Sequence, residues 1–226
     1  MNKKYLTLAL LIAGLATFLT ACNINFGGGS IRGTGDMVSR SIDVGDFSAI
    51  DISGNYIVTY RHGSQTALTI VMQENLFDHL DVNTRSNTLV IGSRRSFDTT
   101  TANRPRIYVY APNLTGADFS GAVNATDWDT IEGQRFSLDI SGAGNISIGL
   151  DVERLDIDAS GAASITLWGT ASTINIDASG ALTISAGDLE IEGGSVDISG
   201  AGTVTLSTLE NVNVTASGVA RVRAAD

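Results

Sequence analysis

The sequence predicts an all-β protein built as a parallel β-helix, a solenoid with rungs of about 20 residues. Three observations lead to this prediction: a short motif recurs at nearly constant spacing, apolar and polar residues alternate around it, and no segment between its copies has helical spacing. The motif is a Ser-Gly pair, and its serines are 21, 19, 19, 20 and 18 residues apart. These serines are Ser120, Ser141, Ser160, Ser179, Ser199 and Ser217.

Apolar residues occupy every second position within each copy, as expected for a strand with one buried face. Phe136, Leu138 and Ile140, for example, are separated by polar residues. The glycine of the motif is expected to interrupt the strand at a corner, because it accepts backbone angles that other residues avoid. The alanine after it is expected to face the interior of that corner, which places Ala162 in the inward row with Ile165.

Stacking the copies in register places equivalent residues about 4.8 Å apart, and no single copy could bury its apolar row alone. An aspartate precedes most of the serines by two residues, so stacking predicts an exposed row of Asp139, Asp158, Asp177 and Asp197. Two interpretations of this row are open. It is either a solvated acidic face or a series of weak calcium sites. The dense Gly-Asp nonapeptide pattern of calcium-binding β-rolls is missing, which favours the solvated face.

Residues 1–22 are predicted to be a lipoprotein signal peptide. Two lysines begin it, and the apolar run at residues 5–19 is shorter than the roughly 20 residues of a membrane-spanning helix. Its last four residues, Leu-Thr-Ala-Cys, resemble the lipobox in which the cysteine is lipid-modified. Cys22 is the only cysteine of the sequence, so an intramolecular disulfide is excluded. An unmodified thiol inside a cleaved signal peptide is the alternative.

The residues after the signal peptide predict a tethered, exported domain. Residues 23–35 are rich in glycine and predict a flexible tether, and residues 36–226 are assigned to a single β-helix domain. Asn23 stands where an aspartate would favour the inner membrane of enteric-type bacteria, which points to the outer membrane of a Gram-negative host.

The charge of the mature chain restricts its partners. Without Lys3 and Lys4 it has 12 basic residues, all arginine, against 24 acidic ones, a net charge near −12. Such an acidic surface argues against nucleic acid and against direct binding to anionic lipid. The predicted partners are therefore the membrane, through the lipid anchor, and a glycan or envelope polymer. The oligomeric state stays open.

An ordered series of short motifs resembles a known family. The series comprises Phe-Ser-Ala-Ile-Asp-Ile-Ser-Gly at 47–54, Tyr-Ile-Val-Thr-Tyr at 56–60, Leu-Val-Ile at 89–91, Pro-Asn-Leu at 112–114 and the repeated Ser-Gly corners. Over residues 38–220 it is similar to the GIN domain, the head of auto-transporter adhesins. The resemblance implies a right-handed β-helix, common on secreted or lipid-anchored bacterial proteins. It implies no catalytic residue.

A polysaccharide-active enzyme on the same scaffold is the alternative to a non-catalytic binding or structural role. A glycoside hydrolase would need two carboxylates across the scissile bond. The candidate carboxylates are Asp118, Asp127, Asp129, Glu132 and Asp139. A lyase would need a basic group, for which Arg94, Arg95, Arg135 and Arg154 are the candidates, and a hydrolytic triad could use only His62 or His79. No pattern selects among these residues. We therefore assign no catalytic, metal-binding or cofactor-binding residue and predict no cofactor. Cys22, as the lipidation site, is the single predicted site residue.

Three further local predictions can be compared with the structure. Trp128 and Trp168 either stack on sugar rings or pack within the repeats, with Phe119 in the same cluster as Trp128. Residues 75–80 have the spacing of a short helical turn. Residues 93–105 form the longest polar insertion and are expected to be an exposed loop.

Overall fold

The computed structural model describes residues 29–225. Within this range most residues lie in β-strands and almost none in helices, which confirms the all-β prediction. The strands are β1 (Ile31–Arg32), β2 (Met37–Ile42), β3 (Ala49–His62), β4 (Ala67–Gln73), β5 (Leu80–Arg85), β6 (Thr88–Ser93), β7 (Phe97–Asp98), β8 (Arg106–Ala111), β9 (Gly116–Trp128), β10 (Ile131–Leu206) and β11 (Val212–Ala224). A 3-10 helix at Glu74–His79 confirms the predicted helical turn.

The strands form one large sheet and one small one. The large sheet has nine strands, with the path β11-β10-β9-β3-β8-β4-β2 and with β6 beside β3 and β5 beside β6. Pairing is parallel from β11 through β9 to β3 and β8, and antiparallel where β4 meets β8 and β2. The small sheet pairs β1 with β7. The regular repeats thus occupy one end of the large sheet.

Strand β10 is 76 residues long and turns back on itself. A straight strand of that length would extend about 250 Å. Instead, the backbone of Gly161 lies against that of Gly142, and the backbone of Gly180 lies against that of Gly161. Segments 19 residues apart in the sequence are therefore neighbours in space, as the motif period predicts.

The structure adds a copy of the motif at Asp51–Gly54, which the spacing alone does not reveal. Ser53 is paired in register with Ser120, and Ser120 with Ser141. Because 67 residues separate Ser53 from Ser120, the copy falls outside the period of about 20 residues. Strands β4 to β8 and the 3-10 helix occupy this insertion, and β6 and β8 pair with successive halves of β3.

Two connections within the insertion differ from simple loops. Ser86 and Asn87 join β5 to β6 with φ angles of 48° and 64°, the backbone of a tight hairpin turn that asparagine tolerates well. The polar segment 93–105 is largely exposed, as expected, and it also contains β7. Residues 31–32, which the composition assigns to the tether, pair with this strand.

The buried side chains of the repeats follow the predicted alternation but not the predicted corner. Phe136, Leu138 and Ile140 are buried, as expected. Ala162 was predicted to face inward, and this is wrong: it is exposed, and Ala163 is buried instead. Ala159 and Ala163 are both buried, so the inward positions keep the same phase on either side of the corner, whereas Gly161 between them is exposed. The strand is not interrupted there, because the glycine accepts the turn without leaving the ladder.

These corner glycines stack directly on one another. Gly121, Gly142, Gly161, Gly180 and Gly200 have φ angles between 113° and 143°, a region that side chains disfavour. A Cβ atom added to any of them would collide with the backbone of the glycine in the preceding copy. Both the backbone angle and the close approach therefore require glycine.

Replacing one glycine of this stack should destabilise the protein far more than replacing its neighbour. We expect Gly161→Ala to lower the free energy of unfolding by about 2–4 kcal/mol, through backbone strain and the displaced neighbouring strand. The exposed Ala162→Ser should change it by less than about 0.5 kcal/mol. Chemical denaturation of both variants checks this. Equal stabilities would show that the corner relaxes without cost.

Strand β11 forms an exposed end of the large sheet. In its degraded motif copy Thr215 takes the place of the aspartate, and Val219 is 84 % exposed. Arg221 and Arg223 are exposed on the same strand, opposite Thr203 and Thr205 of β10. Charged side chains at an open strand edge discourage pairing with another chain.

The double substitution Arg221→Val and Arg223→Val should therefore promote oligomers. Removing both charges leaves an apolar edge next to Val219, where a second copy could add a strand. Light scattering across a concentration series measures this, with Arg221→Lys and Arg223→Lys together as the charge-preserving control. Identical masses for the two double variants at every concentration would refute the role of charge.

Candidate binding face

An acidic row crosses the motif copies on their outer side. Asp51 is paired with Asp118, and Asp118 with Asp139, in consecutive strands. Asp158, Asp177 and Asp197 hold the same position in the later copies, and together with Asp139 they line a shallow groove of about 290 Å³. The structure thus brings together the predicted aspartate row and adds Asp51 and Asp118 to it.

A second polar row runs beside the aspartates, two residues earlier in each copy. The Ser195 hydroxyl donates a hydrogen bond to the Asn175 side-chain oxygen (2.9 Å), and the Asn175 amide donates to the Asp156 carboxylate (2.9 Å). Arg135 and Arg154 pair with the same carboxylate, at 2.9 and 3.0 Å. The alternation predicts that these side chains face outward, but not that they are hydrogen-bonded across copies.

Neighbouring groups shift the pKa of two of these aspartates in opposite directions. Partial desolvation, followed by repulsion from Asp51 and Asp139, raises the pKa of Asp118, although its surface is still exposed. Burial acts in the same direction on Asp156. There the hydrogen bonds from Arg154 and Asn175 and the nearby arginine charges outweigh burial and lower the pKa.

A second acidic groove, of about 390 Å³, lies on another side of the repeats. Its lining includes Asp151, Glu153, Glu190 and Glu192, and Thr170 donates a hydrogen bond to Asp151 (2.8 Å). Across residues 29–225, no three histidine, cysteine, aspartate or glutamate side chains are grouped in a way that could hold a metal ion. The acidic grooves therefore offer no argument for the calcium interpretation.

Most of the carboxylates considered for hydrolysis have structural contacts. Arg61 pairs with Asp127 (2.6 Å) and lies 3.6 Å from Asp129, whose side chain also accepts a hydrogen bond from the His62 backbone. Asp118 and Asp139 belong to the acidic row. Arg135 and Arg154, considered as lyase bases, both pair with Asp156. These contacts join neighbouring strands without forming an enclosed cleft.

The two tryptophans have different environments. Trp128 is 7 % exposed, its indole N–H donates to the Val58 carbonyl (2.9 Å), and its ring packs against Tyr60 and Phe119 at 5.7 and 6.0 Å. It is a packing residue, and the predicted cluster with Phe119 is confirmed. Trp168 is 39 % exposed, next to Gly149. Only Trp168 is therefore placed to contact a ligand.

The predicted lipidation site lies outside the structural description. Cys22 belongs to residues 1–28, of which the structure describes nothing. Across residues 29–225 no helix has the length and apolar character to cross a membrane.

Comparison with known proteins identifies the family. The model described as "Putative auto-transporter adhesin, head GIN domain" matches residues 46–225, most of the sequence. The chain belongs to this family. The resemblance inferred from the motifs is thus confirmed. No curated protein matches the chain.

Solved structures share this GIN-domain fold at low sequence identity. A structure described as a putative adhesin from Bacteroides fragilis is 20 % identical, with a TM-score of 0.74 over 87 % of this chain and 100 % of its own. A putative adhesin from Parabacteroides merdae is 17 % identical, with a TM-score of 0.60 over 88 % and 100 % of the two chains. A putative lipid binding protein from Parabacteroides distasonis is 15 % identical, with a TM-score of 0.56 over 87 % and 100 %.

Neutralising Asp118 or Asp156 should have opposite effects on stability at pH 7. The raised pKa of Asp118 means that its ionised form disfavours the folded state, so Asp118→Asn should raise Tm by about 2 °C at pH 7. That gain should disappear as the pH falls below the ordinary aspartate pKa, because the carboxyl is then protonated in both states.

Because the pKa of Asp156 is lowered, neutralising this residue should have the opposite effect on stability. Its ionised form favours the folded state, so Asp156→Asn should cost about 1 kcal/mol at pH 7. The loss should diminish as the pH falls through the folded-state pKa. Thermal unfolding of both variants from pH 3 to pH 8 tests the pair. Changes of the same sign at pH 7 would contradict the assigned environments.

Proposed function

We propose that this chain is a lipid-anchored cell-envelope protein with a non-catalytic, adhesin-like binding or structural role. Its domain would be a right-handed parallel β-helix held at the outer membrane of a Gram-negative bacterium through Cys22. The observation that carries the proposal is the pair of polar rows that cross successive motif copies. They form a long hydrogen-bonding surface of the kind that an extended polymer could follow.

The β-helix part of the proposal is supported by the stacking of the copies. Segments about 19 residues apart lie side by side. The stacked corner glycines show this at one place, and the hydrogen bond between Thr170 and Asp151 shows it at another. A chain that advances by one parallel strand per turn must coil. Right-handed connections between parallel strands predominate strongly, because the strands themselves twist in that sense.

Lipid anchoring is supported by the lipobox-like sequence ending at Cys22 and by charge. The chain carries a net charge of −10, so its protein surface would be repelled by anionic headgroups. The relative from Parabacteroides distasonis is described as a putative lipid binding protein. An acyl chain attached to Cys22 would provide the membrane affinity instead, and the asparagine after it favours the outer membrane.

The non-catalytic part is supported by the contacts of the candidate acids. Arg61 engages Asp127 and Asp129, and the row aspartates stand on an open face. Catalysis of glycoside cleavage would need an acid and a second carboxylate fixed across the bond in a cleft that limits water. A shallow face suits recognition of a polymer better than its cleavage.

Anchoring can be tested by accessibility on intact cells. Wild-type protein and Cys22→Ser are compared by protease digestion and antibody labelling, before and after permeabilisation of the outer membrane. Surface anchoring predicts that intact wild-type cells are labelled, and that Cys22→Ser loses the label while soluble protein appears. Ala21→Gly, which keeps a small residue beside the cysteine, is the control. Unchanged membrane fractionation of Cys22→Ser would refute the lipid anchor, and labelling only after permeabilisation would refute a surface adhesin.

A further inference from the structure

A cavity of about 490 Å³ lies where the insertion packs against the corners of the first two motif copies. Its volume falls in the range typical of small-ligand sites. The insertion contributes one wall and the glycine corners the other, so residues far apart in the sequence meet here. The lining residues are Ser53, Gly54, Asn55, Tyr56, Ser93, Ser96, Phe97, Gly121 and Ala122.

The chemistry of this cavity differs from that of the two acidic grooves. Three serine hydroxyls and the Asn55 amide supply hydrogen-bond donors and acceptors, and the partly exposed ring of Phe97 supplies apolar surface. No carboxylate lines it. Aromatic surface combined with hydroxyl and amide groups suits a sugar ring, which has apolar C–H faces and polar edges.

One polar group at the cavity wall has no hydrogen-bond partner. Among residues 29–225 three buried side-chain polar atoms are unpaired, and the Tyr56 hydroxyl is the one that belongs to a lining residue. Tyr56 is 1 % exposed. Its hydroxyl is close to Ser93 without reaching hydrogen-bond geometry, and burial raises its pKa to about 12, so it remains a donor. Unpaired donors of this kind are costly in a folded protein and often mark a ligand site.

Three arginines lie beside the residues that line this cavity, although none of them lines it directly. The Arg104 guanidinium donates to the carbonyl of the lining residue Ala122 (2.6 Å). Arg94 and Arg95 lie in the segment between the lining residues Ser93 and Ser96. Both are exposed, and Arg95 donates a hydrogen bond to the Gly29 carbonyl. Arg94 lines an adjoining groove together with Arg85 and Asp81, and this groove shares Ser53 and Ser93 with the cavity. The shared rim therefore carries an excess of positive charge, which suits a carboxylate.

We propose that this cavity binds one uronate unit of an acidic polysaccharide, with its ring against Phe97, a polar edge toward the Tyr56 hydroxyl and its carboxylate toward Arg94 at the shared rim. The serine hydroxyls and Asn55 would contact the sugar hydroxyls. This inference adds a ligand class to the proposed binding role. It rests on the proposed function in one respect, because the protein would encounter the polysaccharide at the cell envelope. The cavity itself is defined by residues of the described domain.

The test is a calorimetric titration of the full soluble domain, residues 23–226, with tetragalacturonate and with the neutral maltotetraose. Ser96→Trp fills the mouth of the cavity, and Ser172→Trp makes the same change at the exposed edge of the acidic groove. Arg94→Gln removes rim charge. Tyr56→Phe removes the unpaired hydroxyl and should not lower Tm, because no hydrogen bond is lost on folding.

We expect wild type and Ser172→Trp to bind tetragalacturonate more tightly than maltotetraose. Ser96→Trp should weaken that binding at least tenfold, and Arg94→Gln should remove most of the preference for the acidic sugar. Tyr56→Phe should weaken binding about threefold or more at unchanged Tm. Equal losses in the two tryptophan variants, a preference for the neutral sugar, or no binding by wild type would overturn the proposal.

The outcomes separate this inference from the proposed function. If the domain binds tetragalacturonate but is released from cells regardless of Cys22, the cavity site is supported and the anchored role is refuted. If the protein is exposed on the cell surface but fails to bind the uronate, the anchored role is supported and the cavity site is refuted. Neither experiment depends on the result of the other.

Discussion

The close approach of backbones at the corner glycines is the constraint on which the rest of the structure depends. From Gly121 to Gly200, each glycine has a positive φ angle and leaves no room for a Cβ atom between itself and the copy before it. With the corner fixed in this way, successive copies pair in register. The aliphatic row then faces the interior and the aspartate row faces solvent in every copy.

This regularity determines the electrostatics of the outer face. A repeated aspartate necessarily becomes a row of like charges, and partial desolvation together with the neighbouring charges raises the pKa of Asp118. The adjacent row breaks the repetition, because Ser137, Asp156, Asn175 and Ser195 differ in charge and hydrogen-bonding capacity. Arginines are placed where they neutralise Asp156. The result is a face whose charge varies along the stack, which a uniform repeat could not provide.

The irregular end of the chain adds chemical variety to a repetitive scaffold. The insertion between the first two copies supplies antiparallel strands, the 3-10 helix and the wall of the cavity around Tyr56. Repeats alone give open faces, since equivalent positions stack in rows along the sheet. A site whose walls come from distant parts of the sequence requires a segment that departs from the period, as the insertion does here.

The sequence alone determined the all-β class, the family and the outward aspartate row, because each follows from local alternation and a short period. It also indicated the helical turn at 75–80. Only the tertiary structure decided which residue after the corner glycine is buried, Ala163 and not Ala162, and the pairing of Asp51 with Asp118 across an insertion of irregular length. The hydrogen bonds from Ser195 to Asp156 and the cavity around Tyr56 likewise depend on contacts between distant residues. Such contacts are set by how the insertion packs, and a local pattern contains no information about that packing.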